Sequence, residues 1–278
     1  MQSLVAQKLG LAYEPVAIVL TDEQPESAKQ FKPGKWGCVM FMLAAAARGQ
    51  EAVFDRTTYG CWGGGVGLGF GNTYEAFPGG VDGFCYFLSV GNEEWETGRE
   101  VAEQAKPYLN QSTYDDFVRG ERYLKSPEIV RRFVDNLPMT DIAERMVVFK
   151  PLSAVDADRE TPSTVVFLAD MDQMAALTIL ANYHRETNDN VIVPYAAGCQ
   201  AIGIYPLAEA ESETPRAVLG QMDISARVAL KRILKQDLVT FAAPFQLFEE
   251  MEANIVNSFV DRNTWRELME LRGRDVGV

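Results

Sequence analysis

Between Tyr59 and Gly71 the chain reads Tyr-Gly-Cys-Trp-Gly-Gly-Gly-Val-Gly-Leu-Gly-Phe-Gly, one cysteine followed by six glycines in ten residues. Glycine costs order in a helix or strand, so such a run is useful where backbone takes positive φ or comes close to another group. The pattern predicts a loop lying against something, with Gly63, Gly64 and Gly65 offering backbone amides beside Cys61. A nucleotide-phosphate loop fits poorly. Gly65-Val-Gly67-Leu-Gly69 has no properly spaced third glycine, Cys-Trp intervenes before it, and no Walker lysine follows.

The remaining cysteines, Cys38, Cys85 and Cys199, set the chemistry that such a loop could serve. The N-terminus lacks the basic start and long apolar run of a secretory signal, and no stretch of roughly 18 apolar residues occurs. A cytoplasmic protein is expected, in which cysteines serve as thiols or ligands rather than as a disulfide framework. Cys38 and Cys199 each fall near a predicted helix start, and Cys61 precedes the glycines, so each thiol can be met by backbone N–H groups that favour thiolate. With His184 the single histidine, an imidazole-rich site is excluded, and thiolates suit iron–sulfur first and zinc second. No CxxC advertises a local module, so the fold must assemble the site.

Cys85 lies in an aromatic pattern and is read as structural. It stands beside Asp82 and Asp223 as a candidate for a fourth ligand position. The methionines are read as core filling, His184 as a solvated helix end, and Arg227 as a surface ion pair.

A net charge of −13 opposes partners that need a basic surface, so neither nucleic acid nor an anionic membrane is expected. The apolar runs Val16–Leu20, 52–55, Phe84–Val90, Thr164–Ala169, 190–194, Ala217–Leu219 and 238–242 predict strands. Trp36–Arg48, 93–105, 112–119, 127–136 with Ser126 as N-cap, Gln173–Tyr183 and a long closing helix Phe245–Val260 predict helices. The expected fold is α/β with a mixed sheet in a single domain, 1–278. Two similar lobes, 1–140 and 141–278, are suggested by an internal echo. Pro15-Val-Ala-Ile-Val-Leu-Thr-Asp22, a Gly-Cys step at Cys38 and Ala52-Val-Phe are answered by Pro162-Ser-Thr-Val-Val-Phe-Leu-Ala-Asp170, a Gly-Cys step at Cys199 and Ala217-Val-Leu. A duplicated unit would bring the two cysteines face to face.

Several stretches together resemble the uncharacterised family called domain of unknown function 169. They are Leu9-Gly-Leu-Ala-Tyr-Glu-Pro-Val-Ala-Ile, Cys38 before an alanine-rich helix ending at Gly49, Cys61-Trp-Gly-Gly-Gly with Leu68-Gly69, Gly198-Cys199 with Pro206, and Ser225-Ala-Arg227 leading to Ala243-Pro-Phe-Gln-Leu-Phe. The resemblance implies one intact family protein in which Cys38, Cys61 and Cys199 occupy the family's cysteine positions. It carries no activity with it. The residue chemistry leads to an iron–sulfur protein for electron transfer or reduction of a small molecule, with Cys38, Cys61 and Cys199 as ligands. The alternative is a non-metal small-molecule-binding protein or thiol enzyme whose glycine loop lines a pocket. Either would meet a small molecule or a redox partner, with self-association left open.

Overall fold

Strands β1 (Val16–Thr21), β2 (Ala52–Asp55), β3 (Met146–Pro151), β4 (Thr164–Ala169), β5 (Val191–Ile192), β6 (Ala217–Leu219) and β7 (Val239–Pro244) form one mixed sheet, ordered β2-β3-β1-β4-β7-β6-β5. The computed structural model describes residues 1–109 and 111–274, and its one parallel pairing between named strands is β5 with β6. Every residue of β4 is buried, which suits its run of β-branched and large apolar side chains with both faces covered.

The echo in the sequence is a repeat in the ladder. β1 pairs β3 antiparallel from Val16↔Pro151 to Thr21↔Met146, and β4 pairs β7 antiparallel from Thr164↔Pro244 to Ala169↔Val239. Both hairpin-like pairs are therefore in the same register, and each partner strand ends in proline. Beyond the proline, the Leu152 N–H donates to the Pro15 carbonyl and the Phe245 N–H to the Ser163 carbonyl. β2 then adds to β3 as β6 adds to β7, both antiparallel. The register makes Ala52 equivalent to Val218, one position on from the alignment read in the sequence. β1 meets β4 through Val16↔Val166, Ala17↔Val165 and Ile18↔Thr164. That pairing is symmetric about Ala17 and Val165, so a pseudo-two-fold axis passes between them. The first copy closes with β3, past the expected lobe boundary at 140.

The helices are α1 (Leu4–Lys8), α2 (Val39–Ala46), α3 (Trp62–Gly67), α4 (Gly80–Leu88), α5 (Gly98–Ala105), α6 (Gln111–Arg119), α7 (Pro127–Asp135), α8 (Met171–Asn182), α9 (Gly198–Ile202), α10 (Ile204–Ala210), α11 (Ile224–Leu234), α12 (Phe245–Asn254) and α13 (Asn263–Arg274). α8 opens with a full capping box, Asp170 accepting from the Gln173 N–H while Gln173 accepts from the Asp170 N–H. One sheet face, through Ala17, Val165, Phe167, Phe241 and Ala243, packs on apolar residues of α1, α8 and α12 such as Val5, Leu177 and Leu247. The opposite face carries α2, which packs on β2 and β3, and α9, which packs on β6 and β7. These are equivalent strands in the two copies. The closing helix expected over 245–260 ends at Asn254, and two 3-10 turns separate it from α13.

Two compact units are formed, and their division differs from the expected lobes. Met1–Gly69 joins the chain from Asp141 onward, and Phe70–Thr140 makes the other. The second unit contains α4 to α7 and is built on an aromatic cluster in which Tyr74 stacks on Phe84 at 3.8 Å and Phe77 on Phe117 at 5.7 Å. Phe84–Val90, expected as a strand, lies largely in α4. Its buried positions Phe84, Cys85 and Leu88 keep a helical spacing, which was masked by the density of aromatic residues. Among the described residues, no helix is long and apolar enough to cross a membrane.

Candidate metal centre

The glycine run after Cys61 is a helix rather than a loop. α3 has glycine at four of its six positions, an arrangement that costs about 1 kcal/mol per glycine relative to alanine. Packing against α9 explains it. A Cβ on Gly67 would stand 2.7 Å from the Cys199 carbonyl carbon and 2.8 Å from its Sγ, and one on Gly203 would overlap the Gly67 carbonyl oxygen. The glycines thus let two backbones approach far enough for Cys61 and Cys199 to share one neighbourhood.

All three expected cysteines stand at helix starts, in the same unit. Cys38 is the N-cap of α2, Cys61 is the N-cap of α3, and Cys199 is the second residue of α9. Cys61 Sγ accepts from the Gly64 N–H at 3.3 Å. The amides of Met40 and Phe41 act on Cys38, and that of Gln200 on Cys199, each favouring thiolate. The Cys199 thiol itself donates to the Gly63 carbonyl oxygen at 3.1 Å. Of the three glycines expected to present amides, Gly64 reaches a sulfur. Gly65 is committed to the Cys61 carbonyl at 2.9 Å, and Gly63 contributes its oxygen.

The thiols feel one another. Burial, followed by the Cys61 charge, pushes the Cys38 thiol up to about 12, with Asp223 adding to the rise. Cys199 is raised well above the ordinary thiol range by burial and then by Cys61, Cys38 and Asp223. Asp223 is itself raised by burial, against the lowering effect of the Ser225, Ala226 and Gly198 amides. Tyr59 is likewise raised by burial and by Cys61. Four acids therefore converge, and the charges that bear most strongly on Cys38 and Cys199 are all negative.

Among the described residues, no three His, Cys, Asp or Glu side chains are placed to share one metal ion. A tetrahedral ion with bonds of about 2.3 Å would need sulfurs about 3.8 Å apart. A cluster accepts wider spacing, because each thiolate binds a different iron.

Cys85 is buried on α4 in the second unit, pushed up to about 11 by burial and lowered by Arg131, with Asp82, Asp135 and Glu128 opposing that lowering. Asp82 itself pairs with Arg131. Asp223, the remaining fourth-ligand candidate, is the N-cap of α11. His184 is exposed just beyond α8, and Arg227 pairs with Asp237. Met40 is buried, as expected of core filling, yet its Sδ accepts from the Gln221 Nε2 at 2.8 Å. Gln221 had no sequence signal. It is fully buried at φ 70°, and its Oε1 has no hydrogen-bond partner.

Against known families, residues 5–254 match the model of domain of unknown function 169, described as uncharacterised ArCR. The chain belongs to the domain of unknown function 169 family. Comparison of this family member with curated proteins and with solved structures gives no match. The match extends from within α1 to the end of α12 and so includes Cys38, Cys61, Cys199 and Asp223.

Proposed function

We propose that the protein carries an iron–sulfur cluster held by Cys38, Cys61 and Cys199 and serves electron transfer or the reduction of a small molecule in the cytoplasm. The observation that carries this reading is the placement of three thiols at three helix starts, where backbone N–H groups can meet sulfur, with α3 packed on α9. Those amides would offset the negative charge of sulfur, which is how proteins tune such clusters. The packing of α3 on α9 buries Cys199, while Cys38 and Cys61 stay half-buried.

The thiol-enzyme alternative finds no nucleophile in Cys38. A nucleophilic cysteine needs thiolate near neutral pH, and Cys38, pushed up to about 12, is held neutral there. Anaerobic isolation followed by iron and sulfide analysis tests the proposal. Iron and sulfide in comparable amounts, with broad visible absorbance that disappears in Cys61→Ala, are expected. Colourless, iron-free chain from cells with working cluster assembly would falsify it. In that case, one fast-alkylating thiol protected by a metabolite would favour the pocket reading.

A further inference from the structure

Two helices of each copy of the sheet unit also correspond, α2 with α9 and α3 with α11. In the first copy, β2 is followed by Cys61 and then α3. In the second, β6 is followed by Asp223 and then α11. Cys61 and Asp223 are both N-caps, each accepting a backbone N–H from its own helix, Gly64 at 3.3 Å and Ser225 at 2.8 Å. α3 packs on α9, and α11 packs on α2. Cys38 and Cys199 each follow a glycine, Gly37 and Gly198, at the start of the helix against which the other copy's pair leans. The pseudo-two-fold therefore exchanges Cys38 with Cys199, and Cys61 with Asp223.

We propose that Asp223 is the fourth protein ligand of the centre, filling in the second copy the place that Cys61 fills in the first. This assignment rests on the iron–sulfur reading above and deepens it.

Two observations besides the symmetry support it. The Gly198 backbone N–H acts on the Asp223 carboxyl together with the amides of its own helix, so Asp223 stands near the residue before Cys199. The segment leading to it is also held in a costly form. Gln221 takes a left-handed backbone with φ 70°, a region that favours glycine, and buries an unpartnered amide oxygen. Its Nε2 lies 3.0 Å from where a Cβ on Gly198 would stand, so the turn that presents Asp223 is wedged against α9. Strain of this kind persists where the surroundings fix a functional group in place.

A carboxylate is a harder ligand than a thiolate, so one iron of the cluster would differ from the rest. Its oxygen would exchange more readily than sulfur, making that iron the place where a small oxygen- or nitrogen-donor molecule binds.

The test compares wild type, Asp223→Asn and Asp223→Cys after anaerobic loading with ferrous iron and sulfide. Asp223→Asn keeps an oxygen able to cap α11, and circular dichroism checks that the variants fold. In wild type, Mössbauer spectra should show one iron with non-thiolate coordination. Asp223→Cys should convert it to the thiolate type at unchanged iron content, and Asp223→Asn should lose iron to a chelator at least about tenfold faster. Identical spectra and chelator rates in wild type and Asp223→Asn overturn the assignment while leaving the three cysteines in place. Failure of wild type to take up iron overturns both.

Discussion

β1 with β3 and β4 with β7 keep the same register over six residues, down to the proline that ends each partner strand, although few side chains are shared. The segments after β2 and β6 differ far more. One is Cys-Trp-Gly-Gly-Gly-Val-Gly, a glycine helix pressed on α9. The other is Asp-Ile-Ser-Ala-Arg-Val-Ala, an ordinary helix packed on α2. A ladder transmits a one-residue slip to every side chain along it, so its geometry resists change. A helix start tolerates any residue that can accept an N–H, so chemistry can diverge there without disturbing the sheet. Similarity between the copies thus reports architecture, and their difference reports the site.

The sharpest way to break this comparison is to treat equivalent positions unequally. Cys38→Ala and Cys199→Ala should abolish iron loading to the same extent, read as iron per chain after anaerobic reconstitution. A centre that survives loss of one and not the other would show that the two positions are equivalent in backbone only.

A smaller effect is expected from Gly203→Ala. Its Cβ would overlap the Gly67 carbonyl oxygen, so α9 must shift from α3, at a cost of about 1–3 kcal/mol in denaturant unfolding. Gly34→Ala has open space around its Cβ but a φ of +66°, and it should lose less, by strain alone. Equal losses would deny the close approach its role.

A separate effect concerns pH in the metal-free chain. The folded state holds the Cys38 proton more tightly than the unfolded state, its thiol being raised from 9.0 to about 12. The associated stability is complete below about pH 9 and is lost as pH rises toward 12. Thermal unfolding against pH should show this decline, and Cys38→Ser, which does not ionise there, should make it shallower while the buried thiols Cys85 and Cys199 keep the remainder. Iron-loaded protein, with its thiol protons already displaced, should not share it.

Much of the sheet was legible in the sequence. Runs such as Val16–Leu20 and Thr164–Ala169 are short, apolar and bounded, and the step from Pro15 to Asp22 echoed the step into Asp170. The helix-start positions of Cys38 and Cys199 were legible, since each follows a glycine just before an apolar helical run. What misled was composition read without its partners. Glycine-rich α3 reads as a loop because its stabilising contacts come from Cys199 and Gly203, well over a hundred residues away in the chain. Phe84–Leu88 reads as a strand because aromatic residues satisfy either period over so short a span. Gln221 left no trace, since a left-handed backbone at glutamine is imposed by tertiary contacts. The lobe boundary was misplaced because the polar middle of the chain belongs to the unit Phe70–Thr140, which interrupts the first copy between α3 and β3.

That interruption begins and ends at nearly one point. The Ile142 N–H donates to the Gly69 carbonyl at 2.8 Å, and the Gly71 N–H donates to the Thr140 carbonyl at 3.0 Å, so outgoing and returning backbones are stapled together like the two legs of a hairpin. A cassette mounted on such a stem can grow, shrink or be swapped without stretching any strand, because the closure entropy of its host loop is already met at the stem. Diversification of the family can therefore proceed at this stem while the framework around the thiols stays unaltered.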